Sequence, residues 1–255
     1  MRSLRLALVQ IRYVNKAFWR NPAAATFTFA FPLMFLVIFT ALLGHGHVNL
    51  AGRVIHQSTY YVAAMAAYGL ISACYTNIAM SITFQRDSGV LKRTDGTPLP
   101  ATSYFAGRVV HALLIGVLLV VITAAFGRAA YQADIPSGLT LLRFLVMLVV
   151  GAASFSALAF AITAIIPNAD AAPALVNASI LPLLFLSGIF IPFGDHAPSW
   201  IVWVARIFPV RHFASGMQAG FIGTPFHWND VLIVGIWGAA GLILAARNFS
   251  WEPRA

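Results

Sequence analysis

Charge is what this sequence has least of. Lys, Arg, Asp and Glu make up 9% of its 255 residues, where a soluble domain carries roughly 25%. Acids are the scarcest group, seven in all. The long apolar runs therefore hold no central carboxylate relay of the kind ion-coupled carriers use. Lysine is confined to Lys16 and Lys92, and neither follows a glycine-rich loop. With no G-x-x-x-x-G-K-[ST] run, the chain has no means of hydrolysing ATP by itself. The single cysteine, Cys74, excludes an internal disulfide. His45, His47 and His56 have no Asp, Glu or Cys close by, which argues against a metal centre. Ser187 with His196 or His212 matches no nucleophile motif, which argues against an intramembrane hydrolase.

What remains is apolar. Hydrophobic residues make up 60% of the chain and mean hydropathy is +0.83, which marks an integral membrane protein with little left for a folded soluble domain. Sixteen Lys and Arg against seven acids give a net charge of +9. The basic residues cluster at the ends of the apolar runs, so they point to the membrane surface and not to nucleic acid.

Residues 1–21 precede any span. On a helical wheel Leu4, Ala7, Leu8, Ile11, Val14 and Phe18 share one arc, and Arg5, Arg12, Lys16 and Arg20 share the opposite one. That division predicts an amphipathic helix lying in the headgroup plane. Asn21-Pro22 then caps and starts a new helix. Spans are predicted at 22–43, 59–84, 104–126, 139–166, 170–191 and 229–247, all within one membrane domain, 1–255. The first is too long for the core of a cleaved signal and is expected to stay. Six spans put both termini on one side. Arg2, Arg5, Arg12, Lys16, Arg20, Arg86, Lys92, Arg93, Arg108, Arg247 and Arg254 share that side, against Arg53, Arg128, Arg143, Arg206 and Arg211 on the other. The positive-inside bias makes the termini cytoplasmic. Arg108, Arg128 and Arg143 lie near span ends, where they are expected to snorkel to the interface.

The most informative stretch is 181–217. It begins as spanning sequence, breaks at Ser187-Gly188 and reaches Pro192. A short polar patch, Gly194-Asp195-His196, leads to Pro198-Ser199-Trp200. The apolar piece up to Phe208-Pro209 is too short to cross about 30 Å of hydrocarbon, so 192–221 is predicted to dip in from outside and return. Irregular backbone survives at that depth only inside protein or beside a wet cavity, which suits a path for cargo. The aromatics there, Phe190, Phe193, Trp200, Trp203, Phe208, Phe213 and Phe221, suit an amphipathic cargo and equally suit interface anchoring.

The loop at 85–98 is short and polar, with Val90 and Leu91 its bulky apolar pair between charges. Such a segment suits docking into a groove on a partner, or simple solvation. Asn77, Ser81, Ser154 and Asn177 are neutral polar residues inside spans. With Phe190 they are the candidates for a translocation path, although packing between helices is the commoner use of such residues.

Taken in order, these segments resemble the membrane subunit of an ATP-binding-cassette exporter of the type-2 permease family, which includes drug and polysaccharide exporters. The interfacial N-terminal helix, Gln85–Arg108 and Phe185–Phe213 carry the resemblance. The third of these carries it most specifically, through Ser187-Gly188, Pro192, Pro198-x-Trp200 and Pro209. Many relatives have a glutamate-rich Arg-Glu-x-Gly-Thr-Leu-Glu run where this chain has Arg86-Asp87-Ser88-Gly89-Val90-Leu91-Lys92.

The resemblance implies an all-α membrane fold with six spans and a re-entrant hairpin before the last. It implies a plasma-membrane location and no enzyme activity in this chain. Two separate ATPase subunits would bind ATP and magnesium, and a second permease, the same chain or a paralogue, would sit alongside among the membrane lipids. Arg86, Asp87, Val90, Leu91, Lys92 and Arg93 would couple to the ATPase. Ser187, Gly188, Pro192, Pro198, Trp200 and Pro209 would shape the exit. Amphipathic drug-like molecules are the expected cargo. A lipid or polysaccharide is the alternative, and an ATP-independent channel or carrier is the rival from another class.

Overall fold

Proline at a first helical turn and an amide side chain before it start a helix where the chain must change direction. In the computed structural model, which describes residues 2–43, 46–50, 53–190 and 198–253, α1 (Arg2–Trp19) gives way to α2 (Pro22–Leu43) at such a point. Asn21 Oδ1 accepts the N–H of Ala24 at 3.2 Å. Along α1, Ala7, Gln10, Ile11, Val14 and Phe18 are half-buried, while Arg5, Arg12, Lys16 and Arg20 are exposed. Leu8, expected on the apolar arc, is exposed as well.

A two-stranded antiparallel hairpin follows, β1 (His47–Leu50) and β2 (Arg53–His56), with His47 opposite His56. No local pattern in the residues announces it. Beyond it α3 (Gln57–Ile71), a π-helical turn (Ser72–Thr76) and α4 (Asn77–Asp87) form one continuous rod. Then come α5 (Val90–Asp95), α6 (Ala101–Tyr131), α7 (Gly138–Ile162), α8 (Ala172–Leu186), α9 (Ser199–Ile207), α10 (Pro209–Ile222) and α11 (Trp228–Asn248).

Five of these segments are long and apolar enough to cross a membrane: α2, the α3–α4 rod, α6, α7 and α11. The fold is an all-α integral membrane one. The helix within the predicted fifth span, 170–191, is α8, with 15 residues, about 22 Å of rise against about 30 Å of hydrocarbon. The helix stops because Ser187 Oγ turns back onto the Leu184 carbonyl at 2.7 Å and Gly188 takes φ +82°, a conformation that glycine adopts without a Cβ clash. Pro192 and the rest of 191–197 lie outside the described residues.

The α3 helix is the hub. Tyr61, Met65 and Leu70 are fully buried, and Ala63, Ala64, Ala66 and Ala67 keep its surface narrow so that neighbours come close. The approach of α6 is closest at Gly116 and Gly127, where an added Cβ would lie 2.3 Å from Leu70 Cδ1 and 2.2 Å from Val62 Cγ2. Similar close pairs orient α7. Gly151 meets Phe213, Met147 meets Gly216 and Phe144 meets Gly220, so α10 runs antiparallel to α7. Ser154 meets Gly238 and Leu158 meets Gly241, so α11 runs parallel to it. Outward-facing Leu42, Leu114, Val121 and Leu242 stay exposed, as helices facing lipid require.

Candidate functional site

The end of the bundle that carries α5 also carries both described chain ends. Here α4 ends on Asp87, and Gly89, at φ +71°, turns the chain into the six residues of α5. The helical part of 85–98, predicted as a cytoplasmic coupling segment, is the last turn of α4 plus α5. Arg86 does not face outward. It is 1% exposed, and its guanidinium donates to the carbonyls of Thr163 at 2.8 Å and Ile166 at 2.5 Å. Asp87 Oδ2 accepts the N–H of Ala169 at 3.0 Å. Together they pin the end of α4 to the α7–α8 turn. Leu91 is fully buried, while Val90, Lys92 and Arg93 are exposed. Lys92 pairs with Glu252 at 3.1 Å. The tail is held there by Trp251, whose ring lies 5.3 Å from that of Tyr104.

At the other functional stretch, α9 and α10 form a helical hairpin. Its turn, Ile207–Pro209, lies level with Phe155 on α7 and Trp237 on α11. Phe208 stacks on Trp237 at 5.8 Å and Phe213 meets Phe155 edge-on at 5.2 Å. Phe155 is about 25 Å along α7 from Gly138 at 1.5 Å per residue, so the turn reaches deep into the helical layer. Carbonyls freed at the end of α9 find partners there. Trp237 Nε1 donates to Ile207 O at 2.9 Å, and His212 Nε2 donates to Arg206 O at 2.8 Å.

His212 Nδ1 faces Asp230 Oδ1 at 2.6 Å. Both ring nitrogens therefore meet acceptors, an arrangement that favours the imidazolium. The Asp230 hydrogen bond is the main cause that holds the His212 pKa above its ordinary value, with burial opposing it. Pro209 is buried at the start of α10, and Pro198 and Trp200 are exposed at the start of α9. Above the hairpin, Tyr60 donates from its hydroxyl to the Gly188 carbonyl. Phe190 is buried in an aromatic cluster with Phe35, Phe39, Tyr68 and Phe185.

Between α1, α2, the α3–α4 rod and α6 runs a cleft of about 1030 Å³. Its lining combines polar side chains, Ser81, Gln85, Arg108 and His111, with apolar ones, Phe18, Phe27, Phe31 and Ile115. The π turn brings Ser72, Ala73 and Thr76 to this cleft. A π turn widens a helix locally, a feature frequent at functional sites. Residues 7–222 match the family description of ABC-2 type transporters. The chain belongs to the ABC-2 type transporter family. No curated protein matches it.

Within this ABC-2 domain the candidate path residues separate. Asn77 and Ser81 line the cleft. Ser154 is buried under Gly238, where an added Cβ would lie 2.3 Å from its Oγ, so it serves close packing of α7 on α11. Asn177 is half-buried on α8, apart from the cleft. Arg108 was expected to snorkel; it is 8% exposed instead, because Ser81, Gln85 and Tyr104 hold it inward. Sequence reading passed over His111, Tyr60, Trp237 and the His212–Asp230 pair. His111 was findable: a histidine three residues after an arginine in an apolar helix puts two ionisable groups on one face.

Proposed function

We propose that this ABC-2 chain is the permease subunit of an ATP-driven exporter of amphipathic small molecules. It would lie in the plasma membrane with both termini in the cytoplasm. Permeases of this family work with an ABC ATPase, and two ATPase copies would bind the α5 end and hydrolyse ATP with magnesium. A second permease, identical or paralogous, would complete the path. Val90, Lys92, Arg93 and Asp87 form the exposed docking face, with Arg86 and Leu91 fastening it from behind to the α7–α8 turn. Rotation of that face by a closing ATPase pair would be transmitted along the α3–α4 rod, which borders the cleft and packs on the hairpin helix α10.

The observation that carries the cargo class is the cleft beside α5. Its volume of about 1030 Å³ falls at the upper end of small-molecule sites, roughly 300–1,000 Å³, and its lining combines polar and apolar side chains. A lipid cargo is the second reading, favoured by the exposed Phe27 and Phe31 that line the cleft. The deciding experiment is gentle purification of the tagged chain with mass spectrometry of its companions, then transport assays in liposomes. A stoichiometric ABC ATPase and ATP-dependent transport support the reading. A chain that comes out alone and moves solute without ATP replaces it with a channel or carrier.

A further inference from the structure

Arg108 is a buried cation with neutral partners. Its Nη1 donates to Ser81 Oγ at 3.0 Å. Its Nη2 donates to Gln85 Oε1 and to the Tyr104 hydroxyl, the latter at 3.3 Å. The guanidinium carbon lies 5.3 Å from the Tyr104 ring centroid. Among the described residues no carboxylate forms an ion pair with this guanidinium. Its Nε has no hydrogen-bond partner, and neither has Nε2 of His111. His111 lies one turn further along α6, is 6% exposed and lines the same cleft. Withdrawing a guanidinium from water is unfavourable unless an opposite charge is at hand, and neutral acceptors offset that only in part.

The cleft adds direction. From Arg108 to Ile115 is seven residues of helix, about 10 Å, room for a charged group at Ser81, Gln85 and Arg108 with an apolar body reaching Phe27, Phe31 and Ile115, while Ser72, Thr76 and Asn77 also line the cleft. The polar end is the one near α5. Beside it α1 exposes Arg12, Lys16 and Arg20, a basic surface that gathers anions before they reach the cleft. A cationic amphiphile would meet like charge at the polar end, which selects against it.

We propose that the cleft binds an amphiphile bearing an acidic group, a phosphate or a carboxylate, whose anion pairs with Arg108 and whose apolar body lies against Phe27, Phe31 and Ile115. This deepens the export reading, and it rests on that reading only for the bound molecule being cargo. The acidic group has two possible sources: the headgroup of a surrounding lipid, or a free amphiphile arriving from the cytoplasm.

The test uses the full chain purified in dodecyl maltoside, without ATPase or nucleotide, so that failure of binding and failure of export are separate results. Dodecyl phosphate is titrated and followed by native mass spectrometry, with dodecyltrimethylammonium as the cationic counterpart. In parallel, the chain is recovered from nanodiscs of phosphatidylcholine with and without phosphatidylglycerol. Expected are saturable binding of dodecyl phosphate, none of the ammonium, loss of roughly tenfold or more in affinity in Arg108→Gln, and partial recovery in Arg108→Lys. A helix clamp without ligand would show no such charge selectivity.

Phosphatidylglycerol retained only when Arg108 is present identifies the leaflet as the source. Dodecyl phosphate binding without retained phosphatidylglycerol identifies a free amphiphile. Equal binding by the wild-type chain and Arg108→Gln, or no saturable binding of either anion, overturns the proposal. Should Arg108→Gln fail to fold, Ala24→Trp fills the cleft from an exposed position. Blocked binding then supports the proposal, and unchanged binding overturns it.

Discussion

Trp237 Nε1 donates a hydrogen bond of 2.9 Å to the carbonyl oxygen of Ile207, joining the middle of α11 to the turn of the α9–α10 hairpin. A helix that ends in the middle of a helical layer leaves carbonyls that water does not reach. The indole supplies a donor there while its ring stacks on Phe208, so one side chain both caps α9 and packs the turn. Trp237→Phe keeps the stacking and removes the donor. It is expected to loosen the hairpin by about 1–3 kcal/mol, read as faster hydrogen exchange at residues 199–212 with little change elsewhere.

His212 gives the hairpin a pH dependence. Its pKa in the folded chain is raised, chiefly by Asp230. The stabilisation is therefore fully present below the ordinary histidine value of about 6.5 and is lost as pH rises through the higher folded value. Thermal stability of the wild-type chain should decline across that window. Asp230→Asn should flatten the decline; an equally steep one in that variant would remove His212 as its cause.

Val90 and Leu91 should behave differently although they are adjacent. Val90→Asp alters an exposed face and is expected to abolish ATPase co-purification while the chain still inserts and folds. Leu91→Asp places a carboxylate at a fully buried position and should reduce the amount of folded chain recovered from membranes, measured by size-exclusion chromatography.

Arg86 is a positioning residue. Arg86→Gln removes charged hydrogen bonds to Thr163 and Ile166, worth about 1.5–3 kcal/mol each. A lower unfolding temperature and weaker coupling of ATP hydrolysis to transport are expected together. Normal values for both would show that the α4 end is held by other contacts.

Gly151 tests the packing of α7 on α10. Gly151→Ala would bring a Cβ to 2.2 Å from the Phe213 ring and should destabilise the chain by roughly 1–3 kcal/mol. Phe213→Leu in the same chain should recover part of that. Additive losses in the double variant would show that the two positions do not share the strain.

Topology is open to a direct check. Ser199 is exposed at the start of α9. A Cys74→Ser, Ser199→Cys chain should react with an impermeant thiol reagent in intact cells. Reaction only after lysis would reverse the assignment of sides.

Most of the architecture was legible in the residues. Asn21-Pro22 marked the α1–α2 break, Ser187-Gly188 the end of α8, and the short apolar piece after Trp200 a helical hairpin. These signals are local: proline, glycine and capping side chains act on their own turn of backbone. The β-hairpin at 47–56 and the π turn at 72–76 were not legible. Arg108 was misjudged: sequence position placed it near a span end, but burial depends on which side chains other helices bring to it.

The sequence alone determined that this is a membrane chain and where several of its helices break, because hydropathy and caps are read within a few residues of one another. Only the tertiary structure decided that Arg86 fastens the α4 end to the α7–α8 turn, that Trp237 reaches the turn of the hairpin and His212 pairs with Asp230, and that Arg108 faces a cleft with no carboxylate beside it among the described residues. Each of those facts joins residues 18 to 80 positions apart, and their meeting depends on close helix packing that no local pattern encodes.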